Sequence, residues 1–160
     1  MDHTSDLTMD TSTYQVHPTP FPAQTKTASG SINDIPTTVT SIHFADKILL
    51  TITFSSANRP GTLAHWVHVT LASSLQDPSV TARTDSGDLL PRTDLTATTV
   101  LGGTKREEEA VGQTLATMLA SQILVKTPGE ERMLVLGLGP VGGLGSAGLG
   151  DLIGLCLGVL

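Results

Sequence analysis

Apolar and polar positions alternate through the first half of the chain, and the period changes later. Thr25–Ile32 reads as a first strand. Asn33-Asp34 stands where a two-residue hairpin turn would close onto the next strand, although the usual glycine is absent. Ile35–Phe44 reads as that next strand, with Ile35, Thr37, Val39 and Ser41 alternating against Pro36, Thr38, Thr40 and Ile42. Lys47–Ser55 is an apolar, β-branched run of strand length. A turn cluster at Ser56–Gly61 follows. In Leu63–Leu71, Leu63, His65, Val67, Val69 and Leu71 then share one face. Short links between four consecutive strands predict an antiparallel meander, because parallel neighbours need long crossovers.

Beyond Leu71 the periodicity lapses. Ala72–Leu95 predicts a long loop in which Asp77, Asp85, Asp88 and Asp94 outnumber Arg83 and Arg92. Thr96–Leu101 predicts a short strand ended by Gly102-Gly103. Thr104 and Glu107 have capping-box spacing, and Glu107, Glu108 and Glu109 suit the positive end of a helix dipole. The helix is expected to run to about Lys126, with Val111, Leu115, Met118, Leu119, Gln122 and Ile123 along one side. Gly112, Ala116 and Ala120 would let it lie close to a sheet. Met133–Leu138 is wholly apolar and predicts a central strand. The remainder, Gly139–Leu160, is rich in glycine and leucine. At the other end, residues 1–22 are polar, with Pro18, Pro20 and Pro22 alternating, and read as a disordered tail. The expected fold is α+β: one domain over 23–160, with a buried sheet of about six strands.

Composition narrows the function. Nine basic residues stand against fifteen acidic ones, a net charge of −6. That opposes nucleic-acid binding, which needs a basic face. Charged residues are 15% of the chain, and threonine, at 24 residues, fills much of the gap and favours strands. The lone Cys156 excludes an internal disulfide and fits a reducing compartment.

Three motifs suggest chemistry and each has a plainer reading. Gly137-Leu-Gly139-Pro-Val-Gly142 matches the G-x-G-x-x-G of dinucleotide sites after a strand. That motif needs a helix, a second parallel strand and an acidic residue about 20 positions on, whereas the 18 residues after Gly142 hold no strand pattern and only Asp151. No cofactor is expected. His65 and His68 lie three apart on a strand and so point to opposite faces, which leaves no metal site. The apolar end, with Gly150, Gly154 and Gly158 four apart, has the small-residue spacing of membrane helices. Its uninterrupted block, Leu152–Leu160, reaches only about 14 Å as a helix, half a bilayer core. No catalytic residues are expected. If helices cover one sheet face, Ile42, Phe44, Ala64, Trp66 and His68 are candidates for the other, as a protein-binding patch.

In order along the chain, Phe21–Lys26, Ile35–Val39, Asp46–Ile52, Gly61–Val69, Leu89–Pro91, Leu101–Gly103, Gly112-Gln113 with Ala116, Ala120–Ile123, and Arg132–Leu138 resemble the proteasome assembly chaperone 3 family, particularly its fungal members. The resemblance implies an antiparallel sheet with two helices on one face and no catalysis. It implies pairing with a like-folded proteasome assembly chaperone 4, homodimers being possible for the chain alone. It further implies contact with proteasome α-type subunits while the 20S α-ring assembles, in cytoplasm and nucleus. Partner binding is assigned to Trp66, His68, Phe44, Asp77, Asp85 and Asp88, without nucleic acid or membrane. The alternative is a membrane tail-anchored adaptor held by its apolar C-terminus.

Overall fold

The computed structural model describes residues 23–55, 61–72, 92–140 and 146–160. The expected tail (1–22) and residues 73–91 of the expected loop lie outside them. In chain order the elements are β1 (Gln24–Ile32), β2 (Ile35–His43), β3 (Lys47–Phe54), β4 (His65–Thr70), β5 (Ala97–Leu101), α1 (Arg106–Lys126), β6 (Met133–Leu138) and α2 (Ser146–Leu157). They form a single α+β domain around one six-stranded, mostly antiparallel sheet.

The β1–β2 hairpin closes at Asn33-Asp34 without a glycine. Both residues take positive φ, 49° and 61°, a conformation that the short side chains of Asn and Asp tolerate. Ile32 thereby faces Ile35, and the strands pair through to Gln24 opposite His43.

The strands lie in the order β1-β2-β3-β6-β4-β5, which corrects the expected four-strand meander. β6 lies between β3 and β4, parallel to β3 and antiparallel to β4. The cause is α1. β5 and β6 both run antiparallel to β4, and the 21-residue α1 is the crossover that brings the chain back along the sheet. An apolar strand gains most from a central position, and Leu134, Leu136 and Leu138 are fully buried there.

Both helices cover one face. Val39, Ile48, Leu50, Ile52, Val67, Val69, Leu134, Leu136 and Leu138 meet Leu115, Ala116, Leu119, Ala120, Leu152, Ile153 and Cys156 in one core. The small residues Gly112, Ala116 and Ala120 sit at the centre of the buried side of α1. Val111, Met118 and Gln122, expected on that stripe, fall at its half-buried margin. The capping box does not form. Gly102 and Gly103 turn with φ of 76° and 63°, and the helix is capped at Lys105 with no side-chain cap bond. Lys105 pairs instead with Glu108 at 3.3 Å. Ser121, buried on α1, accepts the Arg92 N–H at 2.9 Å and so pins the chain where it re-enters the described structure.

α2 lies against the β1–β2 end. Leu155 touches the open side of Gly30 at 3.5 Å from the position a Cβ would take. The buried Ser41 hydroxyl donates to the Val159 carbonyl at 2.7 Å. The apolar residues that suggested a tail anchor are therefore core: Leu152, Ile153, Cys156 and Val159 are all buried. Among the described residues no helix is long and apolar enough to cross a membrane. This removes the feature on which the tail-anchored alternative rested.

Candidate protein-binding face

Strand alternation divides the sheet into two chemically different faces. On β4, His65, Val67 and Val69 turn to the helices and are buried, while Trp66 and His68 are half-buried on the opposite side. His65 and His68 thus stand on opposite faces, as alternation requires. Among the described residues no group of three or more His, Cys, Asp or Glu side chains is gathered as metal ligands would be. Cys156 is buried, and desolvation pushes its thiol up to about 12.

The face away from the helices has a definite pattern. One row runs Thr27, Thr40, Thr51, Gly137, Trp66, Leu101 across the six strands. The next runs Thr25, Ile42, Leu49, Val135, His68, Thr98. Met133 begins a third, beside Lys47 and Thr70. Half-buried Ile42, Leu49, Met133, Val135 and Trp66 therefore form an apolar centre, with His68 among them. Leu101, 65% exposed, extends that centre to the sheet edge. Phe44 follows Ile42 at the end of β2 and is 40% exposed. Its turn is held by its own N–H to the Lys47 carbonyl at 2.8 Å and by Arg132 Nη1 to its carbonyl at 3.2 Å. Arg132 is itself clasped by Glu130 at 2.7 Å, and this hydrogen-bonded guanidinium holds the Glu130 carboxyl down at about 2.

Trp66 owes its position to Gly137. A Cβ on Gly137 would lie 2.9, 3.0 and 3.2 Å from Cζ3, Cη2 and Cε3 of the indole. The six-membered ring therefore rests on the glycine backbone, and any larger residue would lift it. The first glycine of the apparent dinucleotide motif is thus a seat for an aromatic side chain. On β5 the pairing shifts at a bulge, so that Thr99 faces Val67 and Leu101 faces Trp66.

Towards β1 the same face becomes a hydroxyl surface. Thr27 and Thr40 hydroxyls meet at 3.1 Å, and those of Ser29 and Thr38 at 3.2 Å. Thr51 and Thr53 donate to the carbonyls of Thr40 and Thr38, each at 3.4 Å. Across all six strands Lys26 and Lys47 are the only formally charged side chains, histidine aside. By register Lys26 belongs to the helix side, opposite Ser41. An apolar, aromatic, charge-depleted centre beside a polar flank has the make-up of a protein-binding surface, whose core loses charge and gains Trp and Met.

Of the sequence-assigned residues, the structure brings Trp66 and His68 together on this face and puts Phe44 at its end. Asp77, Asp85 and Asp88 lie outside the described residues. Leu49, Met133, Val135, Leu101 and Gly137 were missed. For Leu49, Met133 and Val135 the one signal available was strand parity counted from an inward neighbour, since both sides of these runs are apolar.

No family model matches the chain, and no curated protein matches it. Solved structures do match. One is the crystal structure of a novel chaperone complex for yeast 20S proteasome assembly, with a TM-score of 0.53 and 15% identity. The alignment covers 84% of this chain and 96% of that one. At this identity the likeness is one of fold.

Proposed function

We propose that this chain is a non-catalytic assembly chaperone. In this reading it pairs with a like-folded partner, of the proteasome assembly chaperone 4 kind, and promotes assembly of the 20S α-subunit ring. The observation that carries the reading is the open sheet face: Trp66 seated on Gly137 among Ile42, Leu49, Met133 and Val135, on a fold similar to that of a yeast proteasome-assembly chaperone. The partner covers the apolar centre, with Trp66, His68 and Phe44 in contact. The acidic segment bearing Asp77, Asp85 and Asp88 touches a basic patch on an α-type subunit. The complex works by mass action, favouring on-pathway assembly by binding its subunits better than competing contacts do. It acts in cytoplasm and nucleus.

Affinity purification of the tagged chain from its native cells, followed by mass spectrometry, tests this. Recovery of α-type proteasome subunits with a second small chaperone is expected. Recovery of neither, with the tagged chain folded and abundant, overturns the reading. Deleting residues 73–91 is expected to reduce α-subunit recovery and leave the small partner bound.

A further inference from the structure

His65 stands apart from the candidate binding face, enclosed on the other side of the sheet. It is 4% exposed, on the helix side of β4. Its Nε2 lies 3.2 Å from the Thr99 hydroxyl on β5. That hydroxyl also accepts from Gln113 Nε2 at 3.2 Å, and Gln113 Nε2 donates to Glu109 at 3.2 Å. The other ring nitrogen, Nδ1, is buried without a hydrogen-bond partner. Two glycines make room for the ring. A Cβ on Gly112 of α1 would lie 2.4 and 2.5 Å from Cε1 and Nδ1, and one on Gly103 would lie 2.8 Å from Nε2.

These contacts select one protonation state. With the proton on Nε2, the ring donates to Thr99 and leaves only a bare lone pair at Nδ1. The other tautomer would bury an N–H without an acceptor, which is the costlier defect. A second proton would put a donor on Nδ1, pressed against the α1 backbone at Gly112, and bury a positive charge. The charged groups facing the ring are the α1 carboxylates. Glu109 is bonded to Gln113, and Glu108 is paired with Lys105. Burial lowers the His65 pKa and outweighs the upward pull of Glu109 and Glu108.

We propose that His65 is a pH-sensitive latch that fastens the edge strand β5 and the first turns of α1 to β4, and that opens when the ring gains its second proton. The charged ring satisfies Nδ1 only by leaving its slot, and it then gives up Thr99. β5 is anchored in the sheet through β4 alone, so its bulge and Leu101, opposite Trp66, loosen with it. The sign follows from the lowered pKa. The latch is fully closed above the ordinary histidine value of 6.5 and is lost as pH falls through the folded-state value.

The test is NMR on the full chain from pH 8 to pH 5, following the imidazole nitrogens of His65 and the amide exchange of each strand, corrected for intrinsic rate. The expected result has three parts: an Nε2–H tautomer at high pH, a midpoint below 6.5, and at least a tenfold loss of protection at Ala97–Leu101 with that midpoint while β1 and β2 keep theirs. His65→Gln, which can still donate to Thr99, is expected to abolish the pH step, whereas His43→Gln keeps it. If His65→Gln does not fold, the wild-type titration decides. A midpoint at or above 6.5, β5 protection unchanged through the His65 titration, or a step that survives in His65→Gln overturns the latch.

Discussion

Replacing Gly137 by alanine tests the geometry of the open face at its centre. The added Cβ would stand 2.9 Å from Trp66 Cζ3, against a carbon–carbon optimum of roughly 3.5–4.0 Å, so the two must separate by at least about 0.6 Å. β6 is central and bonded to β3 and β4 through its length. The backbone is held, and the ring must move. Overpacking of this size costs roughly 1–3 kcal/mol. Removing a glycine from a strand interior returns roughly 0.5–1 kcal/mol. The net loss in stability is therefore about 0–2.5 kcal/mol, and the variant stays folded. Because the chain has one tryptophan, its fluorescence reports this site alone. The emission maximum of Gly137→Ala is expected to shift red as the ring lifts into solvent, while urea denaturation stays cooperative with a midpoint lowered by no more than that loss allows. If Trp66 anchors a partner, an aromatic hot spot is worth about 2 kcal/mol or more, so affinity falls more than tenfold. An emission spectrum identical to wild type, with wild-type affinity, would refute both the seat and its use.

Other expectations follow from different parts of the structure. A Cβ on Gly150 or Gly154 of α2 would meet nothing within 4 Å. Each alanine substitution there is expected to stabilise the fold by roughly 0.5–1 kcal/mol in chemical denaturation, and a loss of stability would mean that this side of α2 is not free. The Glu130 carboxyl is held at about 2 in the fold against an ordinary 4.5. The stability it confers is complete above 4.5 and drains away as pH falls towards 2. Urea midpoints from pH 6 to pH 2.5 should show this slope weakened in Glu130→Gln, and an identical slope would remove the clasp as its cause. Cys156 is fully buried, with its thiol pushed up to about 12. Alkylation of the native chain at pH 8 should therefore proceed only at the rate of unfolding, and rapid labelling without denaturant would contradict the packing of α2.

Local structure was legible in the residues; long-range order was not. β-Branched alternation placed every strand to within a residue or two, and the parity of Ile42, Trp66 and His68 put them correctly on one face. The meander failed because link length restrains only neighbours in sequence. The slot between β3 and β4 is claimed by β6, far along the chain and delivered by the α1 crossover. The capping box failed because the left-handed Gly102 and Gly103 decide where α1 begins, and φ is not visible in a capping pattern. Gly137 was obscured by a stronger-looking motif, since its steric role exists only once β6 and β4 are paired. Leu49, Met133 and Val135 were hidden in strands so apolar that neither side stands out.

The most direct measurement is hydroxyl-radical footprinting of the co-purified complex against the isolated chain. Trp66 and Met133 on the open face are reactive side chains, and Met118 on half-buried α1 is an internal control on the opposite side of the sheet. If the chain works by binding a polypeptide on its open face, oxidation of Trp66 and Met133 falls several-fold in the complex while Met118 keeps its rate. Equal oxidation of Trp66 and Met133 in the two samples, with protection at Met118 instead, would place the partner on the helices and contradict the account.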